Sequence, residues 1–180
     1  MRPSGTRAPL SQLGSTHPLG VRGGFLLVGS RPVSWFATKF TAADESAVGL
    51  ASGTSAFQQV GEALAILFGM RAWVDRWAGA TPRLHVRSDS VTALSLLARM
   101  QTSSPHTAVV ARELALTLCQ SCIRPRILEH TPGVANKVAD VLSRRYEPGV
   151  PFVLPKVLQN IPECVLPSRD TGYYRALATP

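Results

Sequence analysis

Three carboxylates in this chain stand where acids could do chemistry. Glu62 lies inside a long apolar stretch, Asp89 follows the alternating run Leu84-His85-Val86-Arg87, and Asp140 is the lone acid of the basic segment His130 to Arg144. Carboxylate oxygens are hard donors, so acids gathered from distant positions can hold divalent cations. Each acid also has an ordinary reading. Glu62 fits a helix surface, Asp89 fits an N-cap, where Asp and Ser are favoured, and Asp140 fits a solvated helix face. Their shared feature is position: strand ends and helix starts of an α/β fold meet along one edge of the sheet, where such acids would cluster.

A second constellation is Cys119-Gln-Ser-Cys122. A zinc site needs about four ligands, and a redox CxxC opens a helix after a strand. Here the pair closes an apolar helical run, so two small buried side chains are the expectation, with a thiolate metal site as the competing reading. With Cys164 the cysteines number three and cannot all pair, which points to a reduced intracellular setting, cytoplasm or nucleus.

The elements that would position these residues can be read from periodicity. Gly24 to Val28 and Pro32 to Phe40 predict two antiparallel strands across a turn at Gly29-Ser30-Arg31. Thr41 to Thr54 reads as a loop. Ser55 would cap a helix reaching about Trp77, with Phe57, Val60, Leu64, Leu67 and Phe68 at helical spacing and Gly79 as its stop. Leu84 to Arg87 predicts a strand and Val91 to Met100 a helix. After a break at Gln101 to His106, Ala108 to Cys119 predicts another helix, Arg126 to Glu129 a strand, Thr131-Pro132-Gly133 a turn, and Ala135 to Tyr146 a final helix opened by Asn136 or its neighbour. The order of strands and helices implies an α/β domain with a mixed sheet.

Composition bounds the partners. The chain has 180 residues, a formal charge of +8 and a pI near 10.3, and 16 of its 19 basic residues are Arg. A basic surface favours polyanions, because cations near phosphates release condensed counterions. None of the eleven acids precedes Asp44, but the acid-free start carries Pro3, Pro9 and Pro18 and lacks the amphipathic period of a transit peptide. The early apolar run Phe25 to Val28 is too short to span a membrane, so none is expected as a partner.

The strings GEALAIL (61 to 67), VRSDSVTAL (86 to 94) and EHTPGVANKVADVLSR (129 to 144) resemble, in this order and spacing, the ribonuclease H domain of retrotransposon reverse transcriptases. RPVSWF (31 to 36) and ARELAL (111 to 116) support the likeness, which covers about residues 19 to 146. It implies a ribonuclease H-like, mixed five-stranded sheet flanked by helices, spanning 19 to 147. Residues 1 to 18 would be a loose arm or degenerate first strand, and 148 to 180 a Pro-rich tail that drapes or dangles.

The resemblance further implies hydrolysis of the RNA strand of RNA/DNA hybrids by two Mg²⁺ (or Mn²⁺) ions. Glu62, Asp89 and Asp140 would be metal ligands and His130 would help product leave. A polymerase domain would precede this one in the parent polyprotein. One departure matters. The family's first-strand aspartate has no counterpart between Gln12 and Gly20; Ser15 or Leu13 falls at its place. Asp44 and Glu45 come too late in the chain to replace it, and His17 offers imidazole, a poor ligand for Mg²⁺. The expected outcome is impaired hydrolysis, or a non-catalytic nucleic-acid-binding module derived from the same domain.

Overall fold

A computed structural model of the chain describes residues 21–77, 83–132, 135–170 and 172–175, together with the backbone of 11–13. Two ladders organise it. Strands β2 (Val21–Val28) and β3 (Arg31–Lys39) pair antiparallel across the Gly29-Ser30 turn, where Gly29 adopts φ +67°. Strands β4 (Arg83–Ser88) and β5 (Arg124–His130) pair in parallel. The short strand β1 (Ser11–Leu13) runs antiparallel to β2 and parallel to β4, which orders the strands β3-β2-β1-β4-β5. The α/β expectation holds, and β2 to β5 each begin earlier than their apolar runs suggested.

Among the described residues, five helices surround the strands. They are α1 (Ala42–Val48), α2 (Ser55–Ala72), α3 (Val91–Arg99), α4 (Pro105–Ser121) and α5 (Lys137–Ser143). Helix α2 is the core element: every residue from Val60 to Met70 is buried, Glu62 among them. Leu64, Ile66, Leu67 and Phe68 are fully covered, each contributing roughly 1.5–3 kcal/mol of transfer free energy. Alternation in β2 divides its residues between two cores. Leu26 packs with α2 on one face, while Phe25 packs with Ala139 and Leu142 of α5 on the other. Gly23 allows that second contact, because a Cβ there would lie 2.4 Å from Leu142 Cβ. The segment that carries Asp140 is thereby pressed onto β2.

Several local expectations are corrected. The predicted loop from Thr41 to Thr54 contains α1, started by a reciprocal capping box between Thr41 and Asp44 and ended by Gly49 in the left-handed conformation. The cap of α2 is Thr54, one residue before the expected Ser55, and the helix stops at Ala72 because Trp73 leaves helical geometry and Val74–Arg76 tighten into a 3-10 turn. Ser90 caps α3, not Asp89. Helix α4 starts inside the predicted break, with Ser104 as cap and Pro105 at its first turn, where a missing N–H costs nothing. Helix α5 is shorter than Ala135 to Tyr146. Cys119 and Cys122 are exposed, because Val110, Leu114 and Thr117 define the buried face of α4 and the cysteines follow it. Gly79, Gly133, Ser15 and His17 lie outside the described residues.

The segment after Pro148 packs back on the domain. It runs along β3, where Trp35 N–H donates to Pro162 O (3.3 Å), Cys164 N–H donates to Trp35 O (2.6 Å), and the Trp35 indole donates to Ile161 O (2.9 Å). An otherwise open strand edge is covered in this way. Among the described residues no helix is long and apolar enough to cross a membrane.

Candidate functional site

Asp89 is placed by a strand that ends and a helix that begins. Ser88 Oγ accepts from Ser90 N–H (3.1 Å), Ser90 Oγ accepts from Ala93 N–H (3.2 Å), and the half-buried aspartate is held between them. Thr131 N–H donates to Ser88 O at 2.9 Å, which ties the end of β5 to the end of β4. His130, the last residue of β5, has its Nε2 at 3.1 Å from the Asp89 carbonyl oxygen. Leu13 pairs with Ser88, so β1 also leads to this edge.

Glu62 reaches the same place from α2. It is 3% exposed, not the surface acid its sequence context allowed. Beside it lies the guanidinium of Arg22, 1% exposed, with Nη2 at 3.5 Å from Glu62 Oε1. Asp140 comes from the first turn of α5 and is paired with Arg144 one turn later, Nε to Oδ2 at 3.2 Å. The three acids interact in a chain. Burial pushes the Glu62 carboxyl up to about 8, against the pull of Arg22 and with a further push from Asp89. Burial also raises Asp89; its own backbone, Arg22 and His130 oppose the shift, and Asp140 adds to it. Four separate elements and a strand arginine thus share one electrostatic neighbourhood.

The neighbourhood opens to solvent through a polar cleft of about 530 Å³, lined by Gln58, Gln59, Glu62, Asp89, Ser90 and Thr92. Both Glu62 carboxylate oxygens and Asp89 Oδ1 are buried there without a hydrogen-bond partner among the described residues. Unmatched carboxylate oxygens suit an arriving cation or donor. They do not suit the two-ion centre expected from the sequence. Among the described residues no three His, Cys, Asp or Glu side chains are gathered closely enough to hold a metal ion, so the Cys119–Cys122 metal reading also finds no support. In addition, a guanidinium already stands next to Glu62, with Arg22 Nη2 at 3.5 Å from Oε1.

Arg22 was not among the candidates drawn from the sequence. Its signal is an Arg at the start of the Gly-rich apolar strand VRGGFLLV, in step with Leu26 and therefore on the face that α2 covers.

No protein-family model matches the chain, and no curated protein does. Among solved structures it is similar to ribonuclease H1 from the halophilic archaeon Halobacterium salinarum NRC-1. The two are 17% identical with a TM-score of 0.56, over 77% of this chain and 95% of that one. At this identity the likeness is one of fold, and the fold of this chain is ribonuclease H-like.

Proposed function

We propose that this chain is a ribonuclease H-like domain of retroelement reverse-transcriptase origin that holds RNA/DNA hybrids and hydrolyses their RNA strand poorly. The observation that carries the reading is that Glu62 of α2 and Asp89 of the β4–α3 turn line one cleft of such a fold, with His130 Nε2 at 3.1 Å from the Asp89 carbonyl oxygen and Asp140 of α5 near enough to act electrostatically on Asp89. The retroelement origin and the former fusion to a polymerase rest on the three strings that carry these residues. A net charge of +8 supports a nucleic-acid partner. Hybrid selectivity would come from 2′-hydroxyls presented in a wide, shallow minor groove. Impairment follows from the missing first-strand acid and from the misfit of the present residues to two Mg²⁺ ions.

The second reading, a module that binds without cutting, is favoured specifically by Arg22 at Glu62. The test is a labelled RNA/DNA hybrid titrated with the full chain at several salt concentrations, followed by cleavage assays in Mg²⁺ and Mn²⁺. The expected result is salt-sensitive binding with slow cleavage that Asp89→Asn abolishes. Binding without cleavage, unchanged in Asp89→Asn, selects the module. Absence of hybrid binding at low salt refutes both.

A further inference from the structure

We infer that Arg22 is the resident cation of the carboxylate site, occupying by covalent attachment the electrostatic role that divalent ions would otherwise take beside Glu62 and Asp89. The inference concerns the carboxylates on which the proposed function rests, but it stands on geometry that involves no nucleic acid.

The guanidinium is fixed from several sides. Nη1 donates to Val21 O at 2.8 Å and Nη2 to Gln58 O at 3.4 Å, and the group lies over the Phe40 ring with Cζ at 5.3 Å from the centroid. Helix α2 makes room for it at Gly61, the residue before Glu62. A Cβ there would lie 2.8 Å from Arg22 Nη2 and 3.0 Å from Phe40 Cζ. The cradle is therefore cut to a guanidinium, with a glycine, an aromatic face and two backbone carbonyls around it.

A cation held this way cannot swing out to solvent when a metal ion arrives, because it is 1% exposed and walled by α2. An ion binding Glu62 would have to sit close to the guanidinium 3.5 Å from Oε1, and like charges repel. The same positive charge reduces the need for any ion at all. The site then attracts no divalent cation strongly and keeps its shape in a chelator.

The experiment is a Mn²⁺ titration of the full chain followed by water-proton relaxation, without nucleic acid. Wild type is expected to show no saturable site, and Arg22→Lys, which keeps the charge, none either. Arg22→Gln is expected to gain a saturable Mn²⁺ site, about tenfold or more tighter than any non-saturable binding of wild type over the same range, and adding Glu62→Gln should remove the gained site. A folded Arg22→Gln without the gain overturns the inference. Should Arg22→Gln not fold, wild type decides alone: a saturable Mn²⁺ site that Asp89→Asn abolishes overturns the inference, and its absence sustains it. Hybrid binding plays no part in these readouts, so they fail or succeed independently of the proposed function.

Discussion

Asp44 and Glu62 are both buried acids on the α1–α2 side of the molecule, 0% and 3% exposed, and their surroundings are opposite. Asp44 accepts from Thr41 N–H at 2.7 Å and from Arg169 Nε at 3.1 and 3.0 Å, and the Tyr174 hydroxyl donates to it as well. Every donor except the capping residue comes from the far end of the chain. Glu62 has no hydrogen bond to either oxygen among the described residues, and its one close cation stands at 3.5 Å. Burying a carboxylate is costly unless donors replace its water. At Asp44 the fold supplies them, which marks a joint that holds the C-terminal segment on the domain. At Glu62 the deficit persists and appears as a carboxyl raised to about 8. A buried acid left incomplete beside an open cleft is a functional candidate, and a completed one is structural.

The contrast is broken most directly at Asp44. Asp44→Ala takes the carboxylate acceptor from Arg169 Nε and the Tyr174 hydroxyl while Arg169 Nη2 keeps Lys39 O, and should destabilise the domain by about 3–5 kcal/mol, read by urea unfolding. A loss below about 1 kcal/mol would mean the joint is ornamental and the contrast empty.

Next in size is a pH effect at Glu62. Its folded value of about 8 lies above its ordinary 4.5. The folded state therefore binds the extra proton between those values, and stability should fall as pH rises from about 4.5 through about 8. The expected span is a few kcal/mol, since one unit corresponds to about 1.4 kcal/mol. Glu62→Gln should flatten that slope, and an unchanged slope in the variant would assign the effect to another group.

The smallest effect belongs to Asp140 and Arg144, an exposed i,i+4 pair. Arg144→Ala should cost only about 0.3–0.5 kcal/mol of stability. If it instead doubled or halved hybrid affinity, Arg144 would join the cleft as a phosphate contact, which sharpens the division between structural and functional charges.

Much of this was readable in advance, and the failures have physical causes. Strands β2 to β5 and helices α2 to α4 announce themselves through apolar spacing. Helix α1 does not, because its Ala, Gly and Ser content hides a start signal confined to Thr41 and Asp44 and a stop confined to Gly49. The candidate acids were legible through the strings around them. Arg22 was not, since one charged residue in a strand says nothing about the helix that will lie across it.

The order of elements, the acids on three of them, and the basic balance of charge were determined by the residues themselves, because periodicity and composition are local properties. Only the tertiary structure decided that Arg22 stands at Glu62 forty residues on and that Arg169 closes on Asp44 across 125. Such pairings depend on which faces pack and how closely glycines such as Gly23 and Gly61 let them approach, and no local pattern in the chain records that distance.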